Sequence, residues 1–142
     1  MVKDPFGFPS TEQLHPLAKE FGLRLIVLFG SAARRAANRE SDVDLGVLAE
    51  CPLSPAQRQR LWNALSALFP ADVDLTMLNH AEPLISYQVA SEGVVLLEAV
   101  PDTWETWKSY AVRHYWDTRK FREGLKAYLA ARAEKMRHAA AE

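Results

Sequence analysis

LFGSAARRAANRESDVDLGVL, residues 28–48, joins the end of an apolar run, a Gly-Ser turn, a basic polar loop and two aspartates one residue apart. The run it closes, LRLIVLFG, is β-rich and stops at Gly30, as a buried strand feeding a turn does. DVDLGVLA then alternates Asp42, Asp44, Gly46 and Leu48 with Val43, Leu45 and Val47. A period of two puts the first set on one face, expected to be wet and charged, and the second on the core.

Working outward, Ser10 followed by TEQLHPLAKEFG offers an N-cap with Gln13 three residues on, then Leu14, Leu17, Ala18 and Phe21 at helical spacing and a stop at Gly22. Pro16 fits this first helix only within its first turns. Downstream, Ser54 caps a helix that has Pro55 at its first position and Leu61, Trp62, Leu65, Leu68 and Phe69 as its apolar stripe. ADVDLTML alternates again, with Asp72, Asp74 and Thr76 opposite Val73, Leu75 and Met77. A short helix from about Pro83 to Gly93 and a short strand VVLLE follow. From Trp104, the residues Trp107, Ala111, Tyr115, Phe121, Leu125, Tyr128 and Leu129 keep helical spacing, which predicts one long C-terminal helix bent near Gly124.

A chain of 142 residues is one domain's worth, long enough to bury roughly two thirds of its unfolded surface. Its single cysteine, Cys51, has no partner in the chain and suits a reducing, cytoplasmic setting. No basic segment leads into an apolar one at the start, and no uncharged run is long enough for a bilayer, so a membrane is not an expected partner. With 17 Lys+Arg against 18 Asp+Glu the chain lacks the positive field of a duplex-binding protein, so direct nucleic-acid binding is not expected either.

Two aspartates at i and i+2 on a strand point the same way and repel unless a hard dication such as Mg²⁺ relieves them. Asp74 on the second DVDL-like strand supplies a third carboxylate for in-line phosphoryl or nucleotidyl transfer, with Asp72 as its alternate. Gly30 lets backbone approach a phosphate, Ser31 adds a hydroxyl, SAARR is expected to open a helix, and Arg34 and Arg35 add charge-assisted donors. Each part alone is more often an ordinary turn or a solvated strand edge. Their order and spacing carry the weight.

That order resembles the minimal nucleotidyltransferase family of the polymerase-β-like nucleotidyltransferase superfamily, whose signature is Gly-Ser, ten residues, Asp-x-Asp. Gly30 and Ser31, the ten residues from Ala32 to Ser41, then Asp42, Val43 and Asp44 meet it without a gap. GSAAR is similar to the family's GSxAR, SDVDL to its SDxDL, VDL ending at Leu75 to its third-carboxylate strand, and PLISYQVASEGVVLLE to its pLxxxxxxxGxxLxE region. YAVRHYWDTRKF resembles the family more loosely. Arg35 stands where the family often has Gly, which makes the loop stiffer or more basic.

The resemblance implies an α/β (α+β) fold: a small mixed sheet flanked by helices, with a nucleotidyltransferase core over residues 1–98 and a C-terminal helical extension over 99–142 packed on the core or on a partner. It implies an enzyme that transfers AMP from ATP to a hydroxyl with two Mg²⁺ ions. Asp42, Asp44 and Asp74 would be the catalytic and metal-binding residues, with Asp74 helping to deprotonate the acceptor. Gly30, Ser31, Arg34 and Ser41 would hold the triphosphate. It further implies an antitoxin that attaches AMP to a tyrosine of a cognate HEPN toxin and forms a hetero-oligomer with it.

Two other functions compete. One is a small-molecule enzyme of the antibiotic nucleotidyltransferase kind, which usually needs an extra domain. The other is a non-catalytic antitoxin that neutralises by contact. The aromatic stripe is read as core, with Trp116 off it as the better exposed contact. Arg132 and His138 fit the loose spacing of HEPN ribonucleases only by coincidence. His15, His80 and His114 show no zinc-like spacing.

Overall fold

The computed structural model describes residues 7–31, 33 and 42–141. Its first two helices start where side chains satisfy the orphan N–H groups of a first turn. In α1 (Thr11–Phe21) the Ser10 hydroxyl accepts from the Gln13 N–H at 3.3 Å and the Gln13 side chain accepts from the Ser10 N–H at 2.9 Å. Gly22 ends it in the left-handed conformation, φ 64°. Pro16 falls in the second turn, where its missing N–H leaves the Glu12 carbonyl without a helical partner. α2 (Pro55–Leu68) repeats the capping box with Ser54 and Gln57, and α3 (Pro83–Glu92) starts on a proline alone.

The strands β1 (Leu23–Phe29), β2 (Val43–Ala49), β3 (Val73–Met77) and β4 (Val94–Glu98) form one mixed sheet in the order β3-β2-β1-β4. β1 pairs antiparallel with β2 and β4, while β2 pairs parallel with β3 through the α2 crossover. Beyond β3, the Asn79 side chain continues that ladder, donating to the Ala49 carbonyl at 2.8 Å and accepting from its N–H at 3.0 Å.

Both sheet faces are covered. Ile26, Leu28, Val43, Leu45 and Val47 pack with Leu14 of α1 and with Leu61 and Leu65 of α2, and Leu25, Val27 and Phe29 pack with Val89 of α3 and with Trp107 and Ala111. The second cluster corrects the expectation of a wet face on β2. Gly46 lies under Leu78, where an added Cβ would sit 3.0 Å from a Leu78 methyl, and Leu48 packs in the same cluster. Only the Asp44 end of that face stays polar.

The C-terminal segment is two helices, α4 (Thr103–Asp117) and α5 (Arg119–Ala141), not one helix bent near Gly124. The break is at Thr118. Its hydroxyl donates to the His114 and Tyr115 carbonyls at 2.8 and 3.2 Å, and Arg122 donates to the Tyr115 carbonyl at 2.8 Å, so these two carbonyls of the last turn of α4 are satisfied by side chains. Gly124 lies inside α5 with open space around it. The aromatic stripe divides at this break: Trp107 and Ala111 are core, whereas Phe121, Leu125, Tyr128 and Leu129 are exposed, as is Trp116. Among the described residues no helix is long and apolar enough to cross a membrane.

Candidate functional site

The sheet register assembles the site. Asp44, the second residue of β2, lies opposite Phe29 of β1 on one side and opposite Asp74 of β3 on the other. Two carboxylates that are thirty residues apart in sequence are therefore neighbours on one face. Partial burial pushes the Asp44 carboxyl above its ordinary value, and the charges of Asp74, Asp42 and Glu92 and a hydrogen bond with Asp74 push the same way.

Gly30 follows β1 with φ 73°, a conformation that side chains rarely adopt. A Cβ there would sit 2.2 Å from a carboxylate oxygen of Asp44, so the absence of a side chain is what lets the turn close over the aspartate. Ser31 is half-buried in that turn. Asp42 is exposed just before β2, near enough for its charge to act on Asp44. Asp72, the alternate third carboxylate, is also exposed and lies before β3; its backbone carbonyl accepts from the Val43 N–H at 2.8 Å, and its charge is not among those acting on Asp44. The structure thus brings Asp44 and Asp74 together and leaves Asp72 aside. Arg34, Arg35, Ser41 and the expected helix of SAARR lie outside the described residues, apart from Ser31 and Ala33.

Among the described residues no three of His, Cys, Asp and Glu are placed to hold a metal ion by themselves. The Asp44 and Asp74 pair nevertheless fits Mg²⁺, which commonly takes one or two carboxylates from a protein and completes its shell with phosphate oxygens and water. The crowding that raises the Asp44 pKa is the kind of conflict a dication relieves.

Sequence reasoning did not pick out Glu92 or Trp62. Glu92 ends α3, accepts from the Gln88 side chain at 2.9 Å and reaches Asp44 only through the packing of α3 on the sheet, so no local motif marks it. Trp62 appeared only as part of a stripe. Its indole N–H donates to the Val73 carbonyl at 2.8 Å, which fixes α2 against the strand that carries Asp74. The remaining flagged residues stay apart from the site: Cys51 is exposed, His114 stacks on Tyr110, Arg132 donates to the Tyr128 hydroxyl, and His138 faces Glu134.

Comparison with known proteins agrees with this geometry. The family model described as polymerase beta, nucleotidyltransferase matches residues 12–102. The protein adenylyltransferase MntA of Shewanella oneidensis is 38% identical over 71 residues, 50% of this chain and 51% of that protein, so the match spans about half of the relative's length. A toxin–antitoxin crystallised with AMP-PNP shares the fold with a TM-score of 0.74 and 26% identity, over 86% of this chain and 99% of that one. A complex of tri-AMPylated HEPN toxin with MNT antitoxin from Shewanella oneidensis has a TM-score of 0.67 at 24% identity over 84% of this chain and 95% of that one, a likeness of fold.

Proposed function

Because the chain belongs to the polymerase beta nucleotidyltransferase family, we propose that it is a protein adenylyltransferase acting as an antitoxin, moving AMP from ATP to a hydroxyl of a cognate HEPN toxin. The observation that carries this reading is the side-by-side placement of Asp44 and Asp74 beneath the Gly30 turn. The likeness to an adenylyltransferase and to a toxin–antitoxin with an ATP analogue supports the substrate and partner.

In the proposed reaction the acceptor oxygen attacks the α-phosphorus of ATP, the bond from that phosphorus to the bridging oxygen breaks, and pyrophosphate leaves. The acceptor's proton passes to the Asp74 carboxylate. Gly30 leaves room for the α- and β-phosphates close to backbone, and Ser31 donates to a phosphate oxygen. Arg34 and Ser41 are assigned to the triphosphate on the family resemblance. Asp44 and Asp74, with Asp42 beside them, would hold up to two Mg²⁺ ions, which when bound neutralise charge on the attacking and leaving oxygens.

The test is transfer of AMP to co-expressed toxin in the presence of Mg²⁺, read as one AMP added to the toxin mass. Asp44→Asn is expected to lower the rate on the order of 10³-fold, the several kcal/mol that a metal clamp contributes. Wild-type labelling by the variant would remove the assignment. One observation favours contact-only neutralisation as a second reading: α5 carries seven Lys and Arg against two Glu and buries none of its residues, so it has a face available for a partner. Toxin binding without any ATP-dependent mass change would favour that reading.

A further inference from the structure

The two edges of the sheet are finished differently. On β4, the outer edge is met by α1, whose Thr11 hydroxyl donates to the Leu96 carbonyl at 2.9 Å. On β3 no strand of the described residues pairs with the outer edge. The ladder bonds from the Val43 N–H to the Asp72 carbonyl and from the Leu78 N–H to the Val47 carbonyl, both 2.8 Å, fix which backbone groups face β2. In a parallel pair these bonds assign the groups of Asp74 and Thr76 to β2 and turn the N–H and C=O of Val73, Leu75 and Met77 outward. The Val73 carbonyl is taken by the Trp62 indole. The Leu75 and Met77 groups have no hydrogen-bond partner among the described residues.

Two grooves run along this edge. The first, about 560 Å³, is lined by Arg58, Trp62 and Asp74 among others. The second, about 400 Å³, is lined by Arg58, Met77, His80 and Glu82 among others. They share Arg58 and Leu75, so they form one path along β3 from Asp74 to the end of the strand. The charges along the path alternate: Asp74 at one end, Glu82 at the other, and Arg58 between them. Arg58 is exposed and has no ion-pair partner among the described residues. Trp62, pinned at its N–H and 39% exposed, offers a fixed apolar wall beside it.

We propose that the β3 edge docks an extended segment of the acceptor protein as a fifth strand, with an acidic residue of that segment on Arg58 and the acceptor hydroxyl at Asp74. Three observations select this occupant. Open backbone donors and acceptors on an edge strand bind another extended backbone. A ligand carboxylate is repelled at either end of the path and attracted only in the middle, which sets the register. The groove ends on Asp74 itself, so a strand seated in it delivers its hydroxyl where the proton is to be taken.

The inference rests on the adenylyltransferase reading, and its test separates the two. With the cognate HEPN toxin as acceptor, Arg58→Glu is expected to raise KM at least tenfold with kcat changed less than threefold. AMP-PNP affinity should stay within twofold of wild type. Hydrogen exchange supplies a readout that a purely structural role for Arg58 would not move: the Leu75 and Met77 amides, without a partner among the described residues, should slow at least tenfold in the toxin complex. Wild-type transfer with an unchanged KM for Arg58→Glu, or no added protection at Leu75 and Met77, overturns the docking proposal alone. Failure of the wild type to label the toxin overturns the adenylyltransferase reading and the docking proposal with it.

Discussion

One face of the β2–β3 pair holds two regions of opposite character a few residues apart. At the end where Asp44 and Asp74 begin, carboxylates crowd together under a side-chain-free turn. Farther along the same face, Gly46, Leu48 and Leu78 lie against Val89 and Trp107, dry and close-packed. Helix cover makes the difference. α3 and α4 pack their Val89, Trp107 and Ala111 over the apolar end, and at the aspartates α3 adds only the charge of its last residue, Glu92. The apolar end holds the strands in register, and the register is what places Asp44 beside Asp74.

The largest expected effect that would sharpen this contrast, the loss of transfer in Asp44→Asn, leaves the apolar end intact, so the variant should fold as wild type does. Its counterpart is Trp107→Ala, which empties the apolar end. It should cost about 3–5 kcal/mol of unfolding free energy by denaturant titration, while the transfer rate per folded molecule changes less than threefold. If Trp107→Ala abolished transfer in protein that remained folded, the two ends would not be separable.

Gly30→Ala should act on both properties. The positive φ costs about 1 kcal/mol, and the new methyl collides with the Asp44 carboxylate. Chemical denaturation together with the transfer assay should show a modest loss of stability beside a loss of rate of at least tenfold. A rate unchanged from wild type would mean that the turn does not need to lie so close to the aspartate.

A smaller effect concerns stability and pH without Mg²⁺. The folded Asp44 carboxyl is raised above its unfolded value, so it favours folding when protonated, below the ordinary aspartate range, and this contribution is lost as pH rises through the folded value. Above the folded value the charged Asp44 opposes Asp74 directly, so there Asp44→Asn should be more stable than wild type by about 0.5–1 kcal/mol. The gain should shrink as the pH is lowered through that raised value. A thermal melt series across pH measures it, and a gain that grew on acidification would contradict the crowding. Smallest of all, Phe121→Ser on the exposed face of α5 should change stability by less than about 0.5 kcal/mol, because no core contact is lost.

Much of the fold was legible because local chemistry writes it. The Ser10 and Ser54 caps, the stop at Gly22, and the strands on either side of the Gly-Ser turn all follow from residues within a few positions of one another. Sequence periodicity misjudged the C-terminal segment for a related reason. An apolar stripe records that a helix has a face, and the same spacing continues from Trp107 to Tyr128 whether or not anything covers it. Thr118 and Arg122 break the helix by reaching back to carbonyls of the preceding turn, a use of Thr and Arg that the stripe does not mark.

For the candidate site, the sequence by itself determined the chemistry: a turn without a side chain at Gly30, paired carboxylates at Asp42 and Asp44, and a choice between Asp72 and Asp74 on the later strand. Only the tertiary structure decided which of the two meets Asp44, that Glu92 adds its charge, and that a groove runs beside the site along the outer edge of β3. Asp72 and Asp74 share a face and a bonding side of their strand, so only the pairing register, which sets Asp74 opposite Asp44, chooses between them. That register is set by what the other side chains bury, a sum over the whole core that no short window of sequence contains.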